Sequence, residues 1–299
     1  MIKKIILSVF IFSQLIIAQT AGNSGLSFLK IGNSARSIGL SNIGLLNSDA
    51  SSVYYNPASL NIDHKTSIMF THQAWIQDLS SEIVNANFSM LGLPFAVGVN
   101  TTSISGFEVR TKPTDTPDAV FNVNYFYGSL STGFALYENL GFGVTIKYLY
   151  ESLLSDDASG TGYDLGLVYE NIIENLTLGA SLRNLGSMEK LRNEKTKLPS
   201  DFIINSTYNL SFENSEFSFL PVIGIQKYME QDEIHFHFGT EAVYDQQFAL
   251  RVGYVTGYDS KGISAGAGFY WSGFNIDYAF TPFNFGIGNA NTITIAYTF

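Results

Sequence analysis

The stretch Asn291-Thr-Ile-Thr-Ile-Ala-Tyr-Thr-Phe299 decides the fold class. Successive side chains of an extended chain point to opposite faces, so the isoleucines, Tyr297 and Phe299 share one face and the threonines share the other. A strand with one apolar face that ends in an aromatic residue is typical of the last strand of an outer-membrane barrel. An edge strand of a β-sandwich can carry the same pattern, so the choice depends on the rest of the chain.

The first residues have the features of a secretory signal. A cationic start, Met1-Ile-Lys-Lys4, precedes the apolar run Ile5–Ile17, and Ala18 is a suitable cleavage residue. The run is short for a membrane-spanning helix, so residues 1–18 are predicted to be a signal peptide. The chain has no cysteine. This excludes lipoprotein processing and disulfides, so hydrogen bonds and burial must stabilise the exported protein.

The composition favours a membrane barrel over a soluble domain. Charged residues make up 14% of the chain, against about a quarter in ordinary soluble proteins. The chain also holds 27 Gly, 24 Phe and 17 Tyr. Few charges and many aromatic residues suit a barrel whose outer face meets lipid. The net charge of −10 argues against a nucleic-acid partner.

After residue 60 the chain alternates with a period of two residues. In residues 141–151, Phe142, Ile146 and Tyr148 alternate with Gly143, Lys147 and other small or polar residues. The same pattern predicts about fourteen strands near 66–75, 83–91, 94–102, 126–137, 141–151, 160–170, 176–184, 201–211, 217–228, 234–244, 247–256, 262–271, 274–281 and 291–299.

The connections between these strands favour a barrel. Every second connection is tight, near Leu91, Asn139, Asn171, Asn214, Asp245 and Ser272, whereas the others include the long runs 103–125 and 185–200. Outer-membrane barrels have short periplasmic turns and longer external loops. We therefore predict an all-β fold, a transmembrane antiparallel barrel over residues 63–299, located in the cell outer membrane. Both chain ends should lie in the periplasm, and residues 103–110 could extend a strand.

Residues 19–62 do not alternate and are rich in small side chains. Residues 34–46 could form a short helix, and Asn56-Pro57 should stop it, because a residue before proline disfavours the helical conformation. The segment is expected either to fold into the lumen as a plug or to extend into the periplasm.

The sequence GNSARSIGLSNIGLLNSDASSVYYNPASL, residues 32–60, resembles the N-terminal signature of the PorV/PorQ family, which belongs with the FadL-like barrels. The resemblance implies a fourteen-stranded barrel whose N-terminal segment packs in the bore. It also implies a role in type IX secretion, in which such proteins bind the C-terminal sorting domains of secreted cargo. We take the plug (hatch) motif to be Arg36, Gly39, Asn56, Pro57 and Ala58.

No catalytic residue or cofactor is predicted, since a His-Glu-x-x-His motif and a phosphate loop are absent. His235 and His237 share one strand face and could hold a metal with Glu241, but hydrated lumen side chains are the favoured interpretation.

The charged residues expected to face inward are Lys147, Arg183, Arg251, Glu151, Asp164, Glu241 and Asp277. Mutual pairing, joined by Arg36, is favoured over a solute-selecting lining.

Tyr297 and Phe299 are predicted to act as a barrel-assembly signal read by the barrel-insertion machinery, with their rings at the lipid interface. Two loops, residues 112–118 and 188–197, should be external. Either could be a partner-binding rim, although a solvated surface is favoured for both.

Two functions remain. The favoured one is a non-enzymatic secretion component that binds secreted proteins or their sorting domains, with the secretion translocon as a partner. The alternative is a FadL-like channel for hydrophobic small molecules. Such a channel should have apolar residues that point inward near its external end, or a lateral gap in its wall. The lumen inferred from the sequence is polar and small, which favours the secretion component.

Overall fold

A computed structural model describes residues 24–47, 49–62 and 65–299 of the chain. The predicted signal peptide lies outside the described residues, as does His64. Fourteen strands form the wall of the molecule: β1 Ser67–Ala74, β2 Leu79–Met90, β3 Leu93–Val109, β4 Ala119–Tyr137, β5 Leu140–Leu153, β6 Asp156–Ile173, β7 Leu176–Met188, β8 Asp201–Tyr208, β9 Phe217–Tyr228, β10 Ile234–Tyr244, β11 Phe248–Val255, β12 Ile263–Trp271, β13 Phe274–Phe283 and β14 Gly288–Thr298.

The strands close into a barrel. Each strand pairs with its sequence neighbours in antiparallel fashion, and β1 pairs with β14 from Ser67↔Thr298 to Ala74↔Asn291. Closure leaves no unpaired edge, which is the condition for a sheet to cross lipid. The predicted fourteen-stranded antiparallel barrel is confirmed.

Side chains alternate across this wall as predicted. On β5, Ile146 and Tyr148 are about half exposed, whereas Lys147 and Leu149 are buried. On β14, Ile293 and Ile295 face outward and Thr292 and Thr294 face inward. The outer face is thus apolar and the inner face largely polar, the opposite of a soluble sheet. Because this distribution is stable only in lipid, the chain is an outer-membrane barrel.

The two ends of the barrel differ in their connections. At the tight-turn end the strands are joined by 91–92, 138–139, 174–175, 209–216, 245–247 and 272–273. Leu91-Gly92 and Ser272-Gly273 have positive φ at both residues, the conformation that suits a two-residue hairpin turn. At the loop-rich end the connections are 75–78, 110–118, 154–155, 189–200, 229–233, 256–262 and 284–287.

Three loop expectations need correction. Only 110–118 of the run 103–125 is a loop, because β3 and β4 pair as far as Val109 and Ala119, with Phe107 stacked on Phe121 at 5.3 Å between ring centroids. The strand extension considered for residues 103–110 is therefore present up to Val109. The run 185–200 shortens to 189–200 and contains a small hairpin of Lys190–Leu191 and Glu194–Lys195. Connection 209–216 is longer than a tight turn, since Leu210–Ser211 continues to pair with β9.

The N-terminal segment, residues 24–62, carries four short helices: Ser27–Lys30, α1 (Ala35–Gly39), Ser52–Tyr54 and Pro57–Asn61. Ser34 caps α1, since its Oγ accepts a hydrogen bond from Ser37 N at 3.3 Å. The helix predicted within residues 34–46 is therefore present. None of the helices in the described part of the chain is long and apolar enough to cross a membrane.

The orientation of the barrel gives a first testable prediction. Longer loops face outward in bacterial barrels, so the loop-rich end should be external. An epitope tag inserted at Asp115 should be accessible to antibody on intact cells, whereas a tag at Asn139, in a tight turn, should be hidden. The reverse pattern would invert the orientation.

Candidate functional site: the bore and the N-terminal segment

The N-terminal segment crosses the barrel from one end to the other. Near its start, Gly25 N donates to Lys197 O at 3.0 Å, in a connection at the loop-rich end. Near its finish, Asn61 Nδ2 donates to Phe142 O at 3.1 Å, close to the tight-turn end. The segment thus lies against the inner face of the wall and does not extend away from it. β14 ends at the tight-turn end. The placement of both chain ends in the periplasm stays a prediction, because the first residues lie outside the described part of the chain.

Arg36 joins an ion network on one side of the bore. Its Nε and Nη2 donate to both carboxylate oxygens of Glu241, at 3.0 and 2.6 Å. Arg251 also donates to Glu241, at 2.5 Å, and pairs with Asp277 at 2.8 Å. Bidentate arginine–carboxylate pairs fix orientation as well as supplying energy. The predicted pairing of inward charges with Arg36 therefore occurs.

Because Glu241 has two arginine partners, Arg36 contributes less to the stability of the seated segment than a sole partner would. Removing one partner of a buried ion pair costs about 3–5 kcal/mol when the other ion is left unpaired. Glu241 would keep Arg251 if Arg36 were replaced, so the loss should be smaller than that range. Arg36 positions α1, but it is not the sole contact that holds the segment.

Two further networks lie on the opposite side. Arg183 pairs with Asp201 at 2.5 Å and donates from Nη1 to Tyr54 O in the segment at 3.3 Å. Lys147 pairs with Asp164 at 2.7 Å and donates to Asn184 Oδ1 at 2.8 Å. All of these charged groups are buried. A lining whose charges pair with one another leaves little free charge to select a solute.

The Asn56-Pro57-Ala58 motif is a helix start fixed to the wall. The Oδ1 of Asn56 accepts from Ala58 N at 3.0 Å, and Pro57 occupies the first helical position, where its missing N–H costs nothing. The Nδ2 of the same side chain donates to Leu167 O at 2.9 Å and to Ala180 O at 3.3 Å. One asparagine therefore caps the helix and positions it against β6 and β7.

A row of inward-facing glycines lets the segment approach the wall, which the sequence analysis did not recognise. A Cβ on Gly143 would lie 2.3 Å from Ala58 N, and one on Gly253 would lie 2.2 Å from Ser41 N. Gly39 of the segment lies against Gly266 of the wall, since a Cβ added to Gly39 would be 3.3 Å from the Cα of Gly266. The other glycines that meet the segment in this way are Gly133, Gly141, Gly166, Gly179, Gly224 and Gly239.

An apolar cluster lines the bore near the loop-rich end, which corrects the expectation of a polar lumen for this part of an otherwise largely polar inner face. Wall residues Tyr127, Leu149 and Met188 pack with Leu26 and Phe28 of the segment. The ring of Phe28 is nearly parallel to those of Tyr125 and Tyr127, at centroid distances of 5.2 and 6.1 Å. The remaining members are Leu29, Tyr54, Tyr55, Ala158, Leu198 and Leu191. Sequence reasoning missed it because tyrosine and leucine occur on both barrel faces.

His235 and His237 are both buried on the inner face. His237 Nδ1 lies 2.7 Å from Ser41 O, and His235 Nδ1 lies 3.0 Å from Thr256 O. Glu241 is engaged by Arg36 and Arg251. Among the described residues, no group of three His, Cys, Asp or Glu side chains is placed to hold a metal ion. The metal hypothesis therefore has no geometric support.

Gly262-Ile-Ser264-Ala-Gly266 has the spacing of a nucleophile elbow. That motif requires a sharp turn from a strand into a helix. Ser264 instead lies within β12, and its Oγ accepts a hydrogen bond from Ser41 N at 3.1 Å. The spacing therefore gives no argument for a catalytic serine.

The remaining predicted sites are on the surface. At the loop-rich end, Arg192 pairs with Asp156, and Lys197 pairs with Glu230 at 3.2 Å, so two cations of residues 188–197 have partners within the chain. At the tight-turn end, the ring of Tyr297 lies 4.6 Å from Phe274 and 4.9 Å from Phe299. The assembly role of Tyr297 and Phe299 stays a prediction.

A closed barrel with an apolar outer face and a filled bore defines the class of outer-membrane β-barrels. No protein-family model and no curated protein matches the sequence. Among solved structures, the fold is similar to the toluene transporter TodX of Pseudomonas putida, with a TM-score of 0.61, 11% identity, and coverage of 89% of this chain and 98% of that one. The Ralstonia pickettii toluene transporter TbuX is similar, with a TM-score of 0.55, 12% identity and the same coverages. A Pseudomonas aeruginosa FadL homologue has a TM-score of 0.50 and 12% identity over 90% of this chain and 98% of its own. At these identities the likeness shows the fold alone.

Proposed function

We propose that this protein is a non-enzymatic outer-membrane channel for hydrophobic small molecules, whose N-terminal segment closes the bore. The observation that carries the proposal is the apolar cluster at the loop-rich end. A channel that captures apolar solutes from outside needs an apolar binding surface near its external mouth, and small-molecule sites are lined mainly by hydrophobic and aromatic side chains. The names of the TodX and TbuX transporters support the same class of solute.

The cluster also suggests the size of the solute. Phe28 presents one benzene-sized ring to Tyr125 and Tyr127, in offset-stacked geometry. A monoaromatic hydrocarbon could occupy the same position once the Ser27–Lys30 helix moves. Tyr54 holds that helix, because its hydroxyl donates to Leu29 O at 2.7 Å. The segment therefore acts as an internal occupant that a solute must displace.

Toluene uptake tests this proposal. Cells that express the wild-type protein should take up radiolabelled toluene faster than cells with an empty vector. Phe28→Ala should raise the initial rate severalfold, because it vacates the ring-sized position. Leu149→Trp should lower the rate towards the vector level, because Leu149 is fully buried in the cluster and a larger side chain would fill it.

Two control variants carry the same type of substitution on the outward face of the wall. Phe126→Ala on β4 and Ile146→Trp on β5 change residues of the outward face and should leave uptake unchanged. Entry of a hydrophilic sugar should stay low in all variants, which separates solute binding from leakage. Toluene uptake at the vector level in wild-type cells, with the barrel folded in the outer membrane, would refute the channel.

The role in type IX secretion implied by the PorV/PorQ resemblance stays a prediction. None of the contacts described above favours a cargo-binding surface over a solvated one. Co-purification of a translocon subunit or a sorting domain with the protein would support that role.

A further inference from the structure

A cavity lies on the other side of the bore from the apolar cluster. It is bordered by α1 and by the loop-rich ends of β1 and β11–β13, and has about 280 Å³ of space not filled by protein atoms, part of it open to solvent. Its lining includes Ser41, Trp75, Lys261 and Thr281. The apolar cluster described above contains none of these residues, so this is a separate site.

Lys261 brings an ammonium group to this cavity. Its Nζ lies 4.6 Å from the ring centroid of Tyr258 and 5.9 Å from that of Trp75. Among the described residues, no carboxylate acts measurably on the charge of this Nζ. Burial lowers the pKa of Lys261 to about 8, and no acidic neighbour offsets that effect. Cation–π contacts stabilise the charge only in part.

Two hydroxyl groups in the lining also lack protein partners. Ser41 Oγ and Thr281 Oγ1 are buried and make no hydrogen bond to the described residues. Each hydroxyl can donate one hydrogen bond, and leaving such a group unsatisfied costs roughly 1–3 kcal/mol. An ammonium and two hydroxyl donors thus line one cavity that no carboxylate lines.

We propose that this cavity binds a small monovalent anion of about the size of chloride. One negative charge is the complement of Lys261, and a spherical anion can accept from the ammonium and both hydroxyl groups together. The indole of Trp75 and the ring of Tyr258 lie beside the ammonium group and cover part of it. The bound anion would connect α1, through Ser41, to the wall, through Lys261 and Thr281.

Halide quenching of Trp75 fluorescence tests the site, because Trp75 and Trp271 are the two tryptophans of the chain. In a Trp271→Phe background, iodide should quench Trp75 with a saturable component, and chloride should compete with it. Lys261→Gln should raise the half-saturating iodide concentration at least tenfold. Lys112→Gln, which removes a cation from the exposed loop 110–118, should leave the titration unchanged.

The fold of each variant is checked by the heat-dependent shift of the barrel on gel electrophoresis. Linear quenching that is identical in the Trp271→Phe protein and in its Lys261→Gln variant would show that only water occupies the cavity, and would overturn the proposal. Saturable quenching that chloride does not displace would overturn it as well.

Discussion

Gly143→Val is expected to displace the N-terminal segment from the wall and to turn the closed barrel into one that opens. The Cβ of the new side chain would lie 2.3 Å from both Ala58 N and Pro57 C, and these are backbone atoms that cannot rotate away. Overpacking typically costs about 1–3 kcal/mol, and a clash with backbone on the partner belongs at the upper end of that range. Such a cost shifts the equilibrium between seated and displaced segment roughly a hundredfold.

Ion conductance in planar bilayers measures this shift. Wild-type protein should be nearly silent, and Gly143→Val should show openings at least ten times more often. Gly128→Val is the matched control, because Gly128 lies on the outer face of β4 and its Cβ would only touch Phe126 at 3.6 Å. Equal conductance of the two variants would mean that Pro57-Ala58 does not seal this part of the bore.

The fold could be predicted from the sequence because lipid imposes a simple pattern. An outward side chain must be apolar and an inward one is free to be small or polar, so alternation on β5 and β14 identifies each face. The ion pairs of Lys147, Arg183 and Arg251 followed from the same alternation, since charges cannot face lipid. Arg36 is the only lysine or arginine within residues 32–60, which made a carboxylate partner for it a reasonable expectation.

The parts that could not be predicted depend on contacts distant in sequence. Phe28 meets Tyr127 across about a hundred residues, and nothing in the local pattern of either shows that they stack. In the sequence, Gly143 and Gly253 look like any small inward residues. Their role, to leave room for the backbone of the N-terminal segment, depends on the segment that packs against them. The extension of β3 was foreseen only as an alternative to a loop, because Ser, Thr and Gly in residues 101–106 resemble a loop, while pairing with β4 makes them extended.

The central claim is that residues 24–62 close the bore. Deletion of residues 24–55 is therefore expected to change the ion conductance of the barrel more than any other variant. The deletion removes Arg36 and the apolar occupants Leu26 and Phe28. It also removes the residues that contact Gly224, Gly239 and Gly253, but it keeps Pro57-Ala58 and every wall strand. A barrel of fourteen strands left unfilled has room for water and solutes. The remaining inner face carries the buried ions of the wall, which water can then hydrate.

Steady conductance of this deletion protein in planar bilayers is the most direct measurement, made on protein whose heat-dependent gel shift shows a folded barrel. The account predicts a large, sustained current from the deletion protein, orders of magnitude above the nearly silent wild type. Steady current from the intact protein that the deletion leaves unchanged would contradict it, and would show that the N-terminal segment does not seal the barrel.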